Sequence, residues 1–123
     1  MGLISRLALS NIVDALAANS LEHLVAVYSD EYGRRLACEV VAHGQANHVS
    51  TSARHLVVRC LSFDAKGLTL LHNHPSGHAE PSSSDIRQTL RLRDLLAPLD
   101  IRLMDHLIVG RDALFSLRSG RVI

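Results

Sequence analysis

Apolar positions along the chain change period several times, and each change marks an element. Between Asn11 and Ala18, Ile12, Val13 and Leu16 fall at helical spacing behind Ser10 or Asn11 as cap, predicting a short helix. His23 to Tyr28 is rich in Val and Tyr and reads as a strand. Ser29 to Gly33 then turns the chain into a second strand, Arg35 to Ala42, so the two form a hairpin. In that second strand Leu36, Cys38, Val40 and Ala42 alternate with Arg35, Ala37, Glu39 and Val41. Glu39 therefore faces away from the Leu/Cys/Val side, toward either solvent or a functional cleft. The polar stretch His43 to Ser50 is predicted as a loop. Thr51 or Ser50 can cap a following helix that runs to about Asp64 on a stripe of Leu56, Cys60 and Phe63, or Val57 and Leu61. Lys66-Gly67 ends it.

Leu68 to Leu71 is a short run interrupted only by Thr69, fitting a strand buried on both faces. His72 stands at its carboxyl end, where open α/β sheets place ligands. Ser82 or Ser83 begins a helix in which Ile86 and Leu90 are four apart, Leu92, Leu95 and Leu96 extend the apolar side, and Pro98 marks the stop. Ile101 to Val109 and Ala113 to Leu117 read as further strands around a Gly110-Arg111-Asp112 turn. These elements make an α/β chain without repeats or linkers.

Length and composition narrow what such a chain can be. Its 123 residues are one domain, 1–123, with a single core and no space for a separate substrate domain. An apolar fraction of 47% with 20% charged residues excludes disorder. No apolar run approaches the roughly 18 to 20 residues that span a bilayer, and no signal core with a cleavage site is present, so a cytoplasmic location without membrane attachment is expected. Cys38 and Cys60 read as small buried residues rather than as a disulfide framework or a thiol metal site. Lys and Arg number 13 against 12 Asp and Glu, which leaves no global field for a nucleic-acid backbone. Arg87, Arg91 and Arg93 read as a solvated helix face, with Arg87 and Arg91 one turn apart.

The densest chemistry lies in His72-Asn73-His74-Pro75-Ser76-Gly77, followed by Ser82 and Asp85. Side chains at i and i+2 of an extended segment point the same way, so one metal ion could accept both imidazoles. Each piece also has an ordinary explanation. One His of such a pair can bond a carbonyl while the other faces solvent, and Ser82-x-x-Asp85 has capping-box spacing with Asp in place of Glu or Gln. Taken together the pieces point to metal: two His and a carboxylate leave an open position on tetrahedral zinc, as catalytic sites do.

The spacing His-x-His, seven residues, Ser-x-x-Asp resembles the JAMM signature of JAB/MPN-type metalloproteases, matched by His72, His74, Ser82 and Asp85. His72 to Gly77, Pro81-Ser82, Asp85 and Asp105-His106-Leu107-Ile108-Val109-Gly110 look like the RadC branch, as does Glu39-Val40 ahead of Gly44. The similarity runs from about Glu22 to Gly120. Gly44-Gln45 stands where that branch reads Gly-Thr, and Ala53-Arg54-His55 where it reads Pro-Arg-Glu. The helix-hairpin-helix region at the N-terminus of full-length RadC proteins has no room here.

The resemblance implies a single compact mixed β-sheet flanked by helices, the MPN/JAB (cytidine-deaminase-like) architecture. It implies zinc held by His72, His74 and Asp85, with Glu39 as general base and Ser82 as donor to the oxyanion. Imidazole and carboxylate ligands also accept iron, manganese or nickel. The implied activity is hydrolysis of a peptide or isopeptide amide, with a peptide, protein or ubiquitin-like conjugate as substrate. Two rivals remain: a nucleic-acid-binding protein of DNA repair, and a non-catalytic MPN scaffold. His43, His48 and His78 read as exposed loop residues, and Asp105-His106 as support for the site or packing.

Overall fold

A computed structural model of the chain describes residues 6–44 and 52–123. Its elements are α1 (Arg6–Ala17), β1 (Glu22–Ser29), β2 (Arg35–Gly44), α2 (Ala53–Ser62), β3 (Gly67–Asn73), α3 (Ser83–Leu96), β4 (Arg102–Val109), β5 (Leu114–Ser116) and β6 (Arg121–Val122). A turn of 3-10 helix, Ala97–Leu99, follows α3 and contains the expected stop at Pro98. The strands form one sheet in the order β2-β1-β3-β4-β5-β6. Only β3 and β4 are parallel; α3 makes the crossover between them. This is the mixed sheet flanked by helices that the resemblance implies.

Period-two patterning decides which side chains meet which helix. Leu24, Ala26, Tyr28, Leu68 and Leu70 point to one face, where Leu56 and Cys60 of α2 and Leu92 and Leu96 of α3 close over them. Burying each of those leucines is worth about 1.5–3 kcal/mol relative to leaving it in water, so α3 is held by its apolar stripe rather than by intrinsic propensity. Val25, Val27, Leu71, Leu107 and Val109 point to the other face and meet Leu16, Ile12 and Val13 of α1. Covered on both sides, β1 and β3 are buried almost throughout, as the β3 run, interrupted only by Thr69, predicts.

Several boundaries differ from the sequence expectations. Helix α1 begins at Arg6, five residues before the expected Asn11. The cap of α2 is Ser52, whose Oγ accepts from the His55 N–H at 3.0 Å; Ser50 and Thr51 lie outside the described residues. That helix stops at Phe63, because Asp64 turns left-handed at φ 51° and the Ala65 N–H returns to the Cys60 carbonyl. Gly67 is instead the first residue of β3, packed so tightly that a Cβ would stand 2.5 Å from Ser29 Oγ. Strand β6 was not anticipated, being only two residues long. Cys60 is fully buried as expected, whereas Cys38, on edge strand β2, is only half-buried.

Candidate metal centre

Strand β3 delivers His72 at its carboxyl end, and His74 follows one residue beyond it. The His74 N–H donates to the Val109 carbonyl at 2.9 Å, prolonging the contact with β4 and keeping the chain extended through both histidines. The backbone then reverses: the Gly77 N–H returns to the His74 carbonyl at 3.0 Å, with Gly77 at φ +93°, a conformation that favours glycine. Gly110 supports that turn from β4. A Cβ there would stand 2.6 Å from the Gly77 carbonyl, so only a glycine lets the two turns close.

Helix α3 brings the carboxylate. Ser82 Oγ accepts from the Asp85 N–H at 3.0 Å, and Asp85 Oδ2 accepts from the Ser82 N–H at 2.8 Å, a complete capping box. The same carboxylate meets both histidines, with Oδ1 3.5 Å from His72 Nδ1 and Oδ2 3.4 Å from His74 Nε2. Cap and ligand are thus not competing explanations of Asp85. The cap fixes the rotamer that aims the carboxylate at the imidazoles. The two rings stand edge to face, with centroids 4.9 Å apart.

One donor atom from each of the three residues lies within 4.8 Å of the others. Ligand atoms about 2.1 Å from a tetrahedral ion are separated by about 3.4 Å, so the His–Asp spacings already fit a divalent ion. The donor set of two imidazole nitrogens and a carboxylate suits zinc and its first-row neighbours. Burial works against the Asp85 charge, but bonds from His72 and His74 and the Ser82 N–H outweigh it and hold the carboxyl far below its usual range. Its bond to Asp85 in turn raises the His74 pKa.

A second carboxylate, which sequence reasoning missed, completes the cluster. Glu22, the first residue of β1, is 5% exposed and places Oε2 3.3 Å from His72 Nε2. Asn73 secures it: buried between the histidines, its amide donates to the Leu21 carbonyl at 2.8 Å and its Oδ1 accepts from the His23 N–H at 2.6 Å. Both backbone neighbours of Glu22 are tied to the strand that carries the histidines. The usable signal was the alternation Tyr28, Ala26, Leu24, Glu22, since Leu24 is paired with His72 across the ladder.

Glu39, expected as general base, is held by other partners. No hydrogen bond or ion pair joins it to the three ligands. Glu39 is paired with Ala26, two positions along β1 from the residue opposite His72. It faces α2, as the alternation places it, and is clamped there: Arg59 Nε and Nη2 donate to its two oxygens at 2.8 and 3.1 Å, and the Tyr28 hydroxyl adds a bond of 2.8 Å. Those bonds, Arg59 foremost, lower its pKa, and burial raises that of Tyr28.

Ser82 is the helix cap and is exposed at the edge of the centre. His106 stacks on His72 with centroids 6.0 Å apart. Thr89 Oγ1 donates to the Asp85 carbonyl at 2.6 Å, so the 2.7 Å contact with His106 Nδ1 requires the imidazole to donate its own proton. Burial pushes the His106 pKa down to about 4, leaving a neutral ring that ties β4 to the second turn of α3. Asp105 is a staple for β5, accepting from the His106 and Arg118 N–H groups and from Ser116 Oγ. His78 is exposed as expected, while His48 and the His43 side chain lie outside the described residues. Arg87, Arg91 and Arg93 are exposed on α3. No helix among the described residues is long and apolar enough to cross a membrane.

Comparison with known proteins agrees with this geometry. A UPF0758 protein of Paraburkholderia phytofirmans is 41% identical over 106 residues, covering 85% of this chain and 41% of the relative. One from Bordetella avium is 41% identical over 109 residues, covering 89% of this chain and 48% of the relative. One from Photobacterium profundum is 48% identical over 84 residues, covering 68% and 38% respectively. The chain thus spans less than half the length of these relatives. The family described as the RadC-like JAB domain matches residues 5–122, and the chain belongs to that family.

Proposed function

We propose that this domain is a metal-dependent hydrolase of peptide or isopeptide amide bonds, with zinc as its ion and Glu22 as general base. The observation that carries the reading is the buried Glu22 carboxylate against a His72, His74 and Asp85 cluster with metal-ligand spacing. A divalent ion held by those three residues would supply Lewis acidity and bring the ionisation of water close to neutral pH.

The remaining chemistry belongs to the chain. Glu22 sits at the cluster without being needed as a ligand, so it is free to take a proton from the attacking water and return it to the departing amine. Asn73 and the start of β1 keep it there. Ser82 Oγ accepts its cap bond through a lone pair and retains its own proton for the oxyanion. His106 and Thr89 hold His72 and α3 in register.

The rival readings have less support. Balanced charge gives a nucleic-acid backbone little to attract it, and a scaffold has no use for an intact set of ligands. Metal analysis together with hydrolysis of amide-linked fluorogenic peptides and isopeptides tests the proposal. Stoichiometric metal and turnover that disappears in His74→Ala are expected. A protein that takes up no divalent metal and hydrolyses no amide would end the hydrolase reading.

A further inference from the structure

The metal centre opens into a cleft that the reaction itself does not require. This cavity, of about 560 Å³, runs between α2 and α3 and has His72 and Asp85 at one end. Its volume falls within the roughly 300–1,000 Å³ of sites that enclose a ligand. Leu24, Leu56, Leu70 and Leu92 form its floor, while Val57, Val58 and Leu95 form its walls. Val58 on α2 is 50% exposed and Leu95 on α3 44% exposed, and both line this cleft. No Phe or Tyr lines it.

Charge distinguishes the mouth from the floor. Arg54 on α2 and Arg91 on α3 line the cleft from opposite walls, and neither has a hydrogen bond or ion pair within the described residues. Arg59 and Arg93 nearby are occupied, by Glu39 and Asp94 respectively. Asp85 is the only carboxylate among the described lining residues, and it is turned to the histidines. The cleft is therefore apolar below and positively charged above.

We propose that this cleft is the substrate-selecting subsite and takes a peptide segment with a large aliphatic side chain, flanked by acidic residues that pair with Arg54 and Arg91. The aliphatic side chain replaces water over the leucines, and each carboxylate finds a guanidinium with no competing partner. Helix geometry sets the spacing. Arg91 lies six residues beyond Asp85 on α3, about 9 Å at 1.5 Å per residue, which an extended peptide covers in about three residues. The acidic residue thus lies about three positions from the reacting amide. A single-stranded nucleic acid fits less well, because among the described lining residues the rings are His72 and His106 at the metal centre, with no Phe, Tyr or Trp on which a run of bases could stack.

The subsite rests on the hydrolase reading for its reacting amide, so the test separates binding from turnover. A fluorescein-labelled peptide carrying leucine and, three positions on, glutamates is titrated by anisotropy against zinc-loaded Glu22→Gln protein. Arg54→Glu with Arg91→Glu in that background weakens binding about tenfold or more, as does replacing the glutamates by lysines, and added salt weakens it too. Leu95→Ser, an exposed and uncharged substitution, weakens it without changing its dependence on salt. Equal affinity for the glutamate and lysine peptides overturns the proposal, as does an oligo-dT strand binding more tightly with the same dependence on both arginines. If wild-type protein binds the peptide through both arginines without cutting it, the hydrolase reading falls and the subsite stands. If it cuts amides regardless of flanking charge, the subsite falls and the hydrolase reading stands.

Discussion

Glu22 and Glu39 stand on adjacent strands of one sheet and point to the same face, yet Glu22 is buried, Glu39 is partly exposed, and their surroundings differ. Glu39 meets a permanent cation and a phenol, which use both its oxygens. Such a carboxylate is committed: its proton affinity is lowered and its geometry fixed by partners that do not move during a reaction. Glu22 has no arginine or lysine partner among the described residues and touches an imidazole of the metal cluster. A base must gain and lose a proton at the reacting atoms, so freedom from a fixed cation matters as much as position. Glu39 ties β2 to α2, and Glu22 lies against the metal cluster, where we propose that it acts as the base.

The comparison breaks first at the ligands. His74→Ala removes a donor while leaving the sheet intact, and it is expected to abolish both metal uptake and the rise in thermal stability that added zinc gives wild-type protein. That rise corresponds to about 2.7 kcal/mol when zinc exceeds its Kd a hundredfold. Asp85→Asn sharpens the result, because the amide oxygen still accepts from the Ser82 N–H. Stability without metal should fall by about 1–3 kcal/mol, because the charged bonds to the imidazoles go, while the zinc-dependent rise is lost altogether. An Asp85→Asn protein that still responds fully to zinc would mean that the carboxylate only caps the helix.

Asn73 is the next point of attack. Asn73→Leu leaves the Leu21 carbonyl and the His23 N–H without their partners, at a cost of about 1–3 kcal/mol in chemical denaturation. Turnover should fall further than that loss of stability explains, since the start of β1 carries Glu22. The smallest effect is expected at the other carboxylate. Glu39→Gln removes a half-exposed ion pair and costs about 1 kcal/mol. Because the folded state lowers the Glu39 pKa below its ordinary 4.5, this stabilisation is present above that pH and lost as the pH falls through the folded value. Urea unfolding of wild type and Glu39→Gln should therefore differ at neutral pH and converge in acid.

How far these features were legible follows from how local each one is. The apolar run of β3, the histidines at its end and the Ser82–Asp85 cap depend on neighbours within a few residues, and all could be read from the chain. Ser52 as cap and Asp64 as helix stop shifted boundaries only slightly. Glu22 was invisible for a physical reason: its partner His72 is 50 residues away, and it stands one position before the expected strand. Glu39 drew attention because it sits in mid-strand, but alternation assigns only a face. Arg59 was needed to show what occupied that face.

The direct measurement is the rate of amide hydrolysis by metal-loaded Glu22→Gln and Glu39→Gln proteins, with metal content confirmed for both. Glu22→Gln is predicted to lose about 10²–10⁴-fold in kcat while keeping its metal, and Glu39→Gln to stay within a few-fold of wild type. The opposite order, with Glu39→Gln inactive and Glu22→Gln close to wild type, would contradict the assignment of the two carboxylates.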